Sequence, residues 1–132
     1  MVGKINHIGI AVKDIKKSIN FFTEVLGFKV SKIVDTPEMT VAMIKVGEIM
    51  IELMQSVSES GAIARFIEKK GEGIQHVCFE ADDIREEIAR IKGMGYEFVN
   101  ENPVKGVEGG DIVFLKPKNT FGVLFELVQN QK

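Results

Sequence analysis

The sequence predicts an α+β fold built from two βαβββ modules, whose curved, cup-shaped mixed sheet carries helices on its outer face. Three observations lead there. First, the chain repeats itself: Ile5-Asn6-His7-Ile8, Asp14-Ile15 and Ile19 recur as Ile74-Gln75-His76-Val77, Asp83-Ile84 and Ile88, each displaced by 69 residues. Near the end of each half, Ile51-Glu52-Leu53 recurs as Phe125-Glu126-Leu127. Second, short β-rich runs alternate with period two. Third, helix start and stop signals fall at matching places in the two halves. A period of this length is too long for a solenoid array and reads as a duplicated supersecondary unit.

The elements come in order along the chain. Residues 4–12 alternate as a strand. Asp14 is an N-cap, with Ile15, Ile19, Phe22 and Leu26 on one helix face and Gly27 as the stop. Strands are expected at 28–34, 40–46 and 49–54, the last two joined by the turn Gly47-Glu48. A connecting helix covers 61–70 and closes at Gly71-Glu72-Gly73. Module two repeats the pattern: strand 74–80, a helix from Asp82 or Asp83 to about Met94, then strands near 96–100, 111–115 and 122–128. Module one spans about 4–58 and module two about 73–130, together one domain over 1–132. Helices drawn from between strands cover one sheet face, and the other is free to hold a ligand.

Composition narrows the class. A chain of 132 residues fits one core. With 45% hydrophobic and 27% charged residues it reads as globular, not disordered. A net charge of −2 gives no sign of a nucleic-acid surface. The N-terminus lacks an apolar h-region and no run is long enough to span a bilayer, so no membrane role and a cytoplasmic location are expected. The single cysteine, Cys78, reads as a small buried hydrophobe.

Strand parity selects the candidate site. Ile8, Ile10 and Val12 share one face, and His7, Gly9 and Ala11 the other. His76 and Cys78 likewise oppose Val77 and Phe79. In the closing strands, Glu52 opposes Ile51 and Leu53, and Glu126 opposes Phe125 and Leu127. The protein has two histidines, and they occupy equivalent positions. A glutamate within Ile-Glu-Leu is costly to bury unless paired or metal-bound. Two related His/Glu pairs would offer two nitrogens and two oxygens, a donor set suited to one divalent ion such as Co, Ni, Mn or Zn. The metal set is therefore His7, Glu52, His76 and Glu126.

Over nearly its whole length, from Ile5 to Val128, the chain resembles the vicinal oxygen chelate (glyoxalase) superfamily. The resemblance is carried by His7-Ile8-Gly9-Ile10-Ala11-Val12, Phe21-Phe22 and Leu26-Gly27-Phe28. Three stretches are most similar to the methylmalonyl-CoA epimerase branch: Ala62 to Ile74, Pro103-Val104-Lys105-Gly106 with Gly109-Gly110, and Leu115-Lys116-Pro117-Lys118-Asn119 running into Gly122 to Leu127. Gln75 and Lys116 stand where that branch usually carries histidine. Val41-Ala42-Met43-Ile44 lacks the second carboxylate of some epimerases. The resemblance implies a metal-dependent epimerase of methylmalonyl-CoA or a close acyl-CoA, a homodimer, and Glu126 as a residue that both holds metal and moves a proton. Glu52 would serve the opposite face if it detaches from the metal, with Glu48 a weaker candidate. Lys116 and Lys118 are candidates for the substrate's phosphates. The alternatives are glyoxalase I, a lactoylglutathione lyase using the same quartet, and a non-catalytic small-molecule binder. No phosphate-cradling glycine motif is present.

Overall fold

The computed structural model describes residues 1–130. The chain divides into two compact units: His7–Gln75, and Met1–Asn6 together with the chain from His76 on. The first six residues thus belong with the second module, although the sequence repeat begins with them.

The unit His7–Gln75 is built on strands β1 (Val2–Ala11, of which His7 onward belongs here), β2 (Val30–Asp35), β3 (Met39–Val46) and β4 (Ile49–Ser56), ordered β2-β3-β4-β1. β1 and β4 run parallel, and the other pairs are antiparallel. Helix α1 (Ile15–Asn20) begins where expected: the Asp14 carboxylate accepts the Lys17 N–H at 3.1 Å. Ile15 and Ile19 then pack with Phe22 on Val12, Ala42, Ile44 and Leu53. The last turn, Phe21–Val25, widens into a π-helix in which the Leu26 N–H reaches the Phe21 carbonyl. Adding one residue to a turn rotates the next residues around the helix axis. Leu26, expected on the buried face, is therefore 48% exposed, and Phe28 joins the core instead. Helix α2 (Ala62–Lys70) covers the expected connecting segment and ends at Gly71 with φ +81°.

The second unit carries β5 (Gly73–Ala81, from His76 on), β6 (Val104–Lys105), β7 (Asp111–Phe114) and β8 (Leu124–Gln129), ordered β5-β8-β7-β6. Its helix α3 (Ile84–Gly93) is capped by Asp83, whose carboxylate accepts the Glu86 N–H at 3.1 Å. Ile84 and Ile88 pack on Phe98, Val113, Leu115 and Leu127. The strand expected at 96–100 is reduced to a single bridge, Phe98 to Leu115. The Asn100 side chain accepts the Phe114 N–H at 3.2 Å and donates to the Asn102 carbonyl at 2.8 Å. A side chain thus takes a partner that a second strand would need. Strand β6 is displaced toward Val104 and Lys105 and returns through Gly106–Gly110. Those glycines serve close approach: a Cβ on Gly106 would stand 2.9 Å from the Ile112 side chain, and one on Gly110 2.9 Å from Val128.

Both helices α1 and α3 are tied to a sheet strand by the same device. The Ile15 N–H donates to Gln55 Oε1 at 2.8 Å, and the Ile84 N–H to Gln129 Oε1 at 2.7 Å. Each glutamine satisfies an orphan donor of the first helical turn. Glu87 of α3 is only 2% exposed, and Arg90 donates to it at 2.7 Å and 3.3 Å. The Arg90 hydrogen bonds hold the Glu87 carboxyl below the usual carboxylate range against the opposing effect of burial.

Candidate active site

His7 lies on β1 and Glu52 on β4, and the parallel register sets His7 beside Met50 and Gly9 beside Glu52. The pair is therefore a diagonal neighbour across two strands. Gly9 carries no side chain that would fill the space next to Glu52. His7 Nδ1 lies 3.6 Å from Glu52 Oε2, and both residues are buried. On the other side of Glu52, its neighbour on β3 is the fully buried Met43.

The second unit reproduces this register. His76 lies beside Leu124 and Cys78 beside Glu126 on parallel strands β5 and β8. His76 Nε2 is 3.1 Å from Glu126 Oε1, again with both residues buried. Phe114 neighbours Glu126 on β7 and meets the His76 ring edge-on at 6.1 Å. The register explains why duplicated sequence places the pairs alike: each histidine sits two residues before the position facing the glutamate. One difference is chemical. Where the first unit has Gly9, the second has buried Cys78, whose sulfur lies within 4.8 Å of a Glu126 carboxylate oxygen.

Each pair offers one imidazole nitrogen and one carboxylate oxygen at buried positions. That donor chemistry fits a divalent first-row ion. Burial by Met43 on one side and Phe114 on the other raises the cost of leaving the carboxylates without a cationic partner. The remaining sequence candidates fall elsewhere. Glu48 is exposed in the two-residue turn after Gly47, whose φ of +62° that turn requires. Gln75 is half-buried, one residue from His76 and so on the opposite strand face.

Lys116 and Lys118 converge on one carboxylate. Lys116 Nζ is 3.0 Å from Glu97 Oε2 and Lys118 Nζ is 3.1 Å from Glu97 Oε1. Hydrogen bonds from Lys116, then Lys118, hold the Glu97 carboxyl below its ordinary range. Sequence reasoning missed Glu97, because nothing in the pattern linked it to residues about twenty positions later. It also missed Gln55 and Gln129, for which a signal existed: Glu-Leu-x-Gln occurs as Glu52-Leu53-Met54-Gln55 and as Glu126-Leu127-Val128-Gln129.

Residues 4–127 match the family model of the Glyoxalase/Bleomycin resistance protein/Dioxygenase superfamily. The chain belongs to this superfamily. Several similar relatives within the superfamily are epimerases. The chain is 34% identical over 131 residues to mouse mitochondrial methylmalonyl-CoA epimerase, covering 97% of this chain and 74% of the relative. It is 35% identical to the ethylmalonyl-CoA/methylmalonyl-CoA epimerase of Cereibacter sphaeroides, over 98% of this chain and 99% of the relative. The crystal structure of methylmalonyl-CoA epimerase from Mycobacterium tuberculosis superimposes with a TM-score of 0.93 at 30% identity, covering 99% of this chain and 90% of that one. This glyoxalase-superfamily member is an enzyme of the isomerase class, and its α+β fold is that of these relatives. Among the described residues no helix is long and apolar enough to cross a membrane.

Proposed function

We propose that the protein is a divalent-metal-dependent epimerase of methylmalonyl-CoA or a closely related acyl-CoA, acting by α-proton abstraction. The observation that carries this reading is the pair of buried His/Glu couples on parallel strands in the same register. The names of the epimerase relatives supply the substrate class. His7, Glu52, His76 and Glu126 would together hold one ion, of which Co, Ni, Mn and Zn all suit the donors. When bound, such an ion supplies positive charge against the negative charge that develops on the substrate's thioester oxygen.

The chain's own residues do the rest. Glu126 takes the α-proton on its carboxylate and acts as general base. Glu52 would serve the opposite face once released from the ion: protonated from solvent, it would give that proton to the carbon, and Glu126 would pass its own proton to solvent. Glu48 lies in an exposed turn, which supports placing the acid-base roles on Glu126 and Glu52. Met43 and Phe114 keep water from the carboxylates, which strengthens every charge interaction near them. Imidazoles at His7 and His76 hold the neighbouring carboxylates in place.

The test follows the C2 proton of methylmalonyl-CoA by NMR in deuterated buffer, with protein stripped by chelator and then reloaded with Co²⁺. Rapid loss of the proton signal in the reloaded protein and its absence in the stripped one supports the reading, and a stereospecific mutase then reports inversion. Exchange that is equally fast without metal sinks the metal requirement. No exchange with bound metal sinks the acyl-CoA assignment. In that event turnover of methylglyoxal with glutathione would make the lactoylglutathione lyase reading lead, since the same four donors serve it.

A further inference from the structure

Phe121 combines an unfavourable backbone with an exposed apolar ring. It has a φ of +59°, alone among the described non-glycine residues in adopting a positive value, and its side chain is 90% exposed. Asparagine or glycine would adopt that backbone more readily and would present no apolar ring to water. The loop around it is rigidly built, with a 3₁₀ turn at Pro117–Asn119. Buried Thr120 donates its hydroxyl to the Val123 carbonyl at 2.8 Å, and the Gly122 N–H reaches the Pro117 carbonyl at 2.9 Å. These bonds fix the backbone from which the exposed ring projects.

The loop's position gives the ring a use. It precedes β8 at the end where Leu124 registers with His76. Phe121 and Glu126 are five residues apart, so at most about 17 Å of chain separates them. That bound keeps the ring within reach of a bent CoA whose acyl end sits at Glu126. At the base of the same loop, Lys116 and Lys118 share the single carboxylate of Glu97, leaving one net positive charge. Each ammonium has three N–H donors, so an anion can be bound without displacing Glu97.

We propose that Phe121 is the stacking platform for the purine ring of the substrate's nucleotide end, with Lys116 and Lys118 facing its phosphates. The proposal rests on the acyl-CoA reading above. It assigns the loop to binding and leaves proton transfer to the buried carboxylates. An aromatic face receives any flat heterocycle, and adjacent cations select one that carries phosphates.

The test compares wild type, Phe121→Ala and Phe121→Tyr on methylmalonyl-CoA and on the truncated thioester methylmalonyl-pantetheine. Phe121→Ala is expected to raise KM about five-fold or more for the CoA thioester, the range of one stacked base. Its kcat stays unchanged, as does its KM for the pantetheine thioester, and Phe121→Tyr keeps wild-type values. An equal KM rise on both substrates, or none on either, overturns the proposal. So does conversion of a dimer to a monomer by Phe121→Ala in analytical ultracentrifugation, which would give the ring to a second copy of the chain. If wild type turns over neither thioester, the activity reading fails separately, and calorimetric binding of free CoA decides this one. Weaker CoA binding by Phe121→Ala supports it, and equal binding overturns it.

Discussion

Glu126→Gln separates chemistry from folding in this protein. The substitution is nearly isosteric and leaves an amide that can still hydrogen-bond His76, whose Nε2 is 3.1 Å from the Glu126 carboxylate. A hydrogen bond involving a charged group contributes about 1.5–3 kcal/mol and a neutral one about 0.5–1.5 kcal/mol, so the exchange costs about 1 kcal/mol of stability. For a chain of this length that lowers Tm by about 3–4 °C. Native proteins hold about 5–15 kcal/mol in reserve, so nearly every molecule remains folded at 25 °C. The chemical loss is larger: removing a positioned general base costs about 10²–10⁴-fold, or about 3–5 kcal/mol of barrier. Deuterium exchange at C2, measured on the methylmalonyl-CoA enantiomer whose proton faces Glu126 and on protein whose metal content equals that of wild type, should therefore fall at least a hundred-fold while the melting temperature drops by only about 3–4 °C. An exchange rate within ten-fold of wild type would refute the assignment of the base. Glu52→Gln should behave differently, slowing inversion more than exchange, because proton removal by Glu126 survives.

The remaining expectations concern the framework. Leu53→Ala, at a fully buried position under α1, should cost about 2–5 kcal/mol in urea unfolding. Gln129→Leu strips the Ile84 N–H of its partner and should cost about 1–3 kcal/mol, while the Asp83 cap survives. Glu87 has a folded-state pKa below its unfolded value, so its stabilisation is fully present above the unfolded value of about 4.3 and is lost as pH falls through the folded one. The stability gap between wild type and Glu87→Gln, followed by denaturant melts across pH, should shrink below about pH 4. Gly110→Ala should destabilise through backbone contact as well, because its Cβ would stand 3.1 Å from the Gln129 carbonyl oxygen; thermal melts check this.

The duplicated module, its caps and the two His/Glu pairs were legible in the sequence because each rests on local periodicity. Asp14 and Asp83 cap α1 and α3 through their own chain neighbours, and strand parity alone separates His7 from Ile8 and Glu52 from Leu53. The parallel register then matches the repeat, since equal spacing places both glutamates two residues beyond their histidine's partner. What periodicity could not supply was any contact that skips along the chain. Leu26 left the core because one π-turn shifted the helical phase, and that turn has no sequence period of its own. The strand at 96–100 shrank to a single bridge where the Asn100 side chain took a backbone donor of β7. Glu97 became the partner of Lys116 and Lys118 about twenty residues on, and Glu87 came within 3.3 Å of the Met1 ammonium from the other end of its unit. The sequence by itself determined which residues alternate, cap and repeat, because those are short-range preferences of the backbone. Only the tertiary structure decided which side chains meet, because burial and hydrogen bonding depend on what the rest of the chain brings alongside.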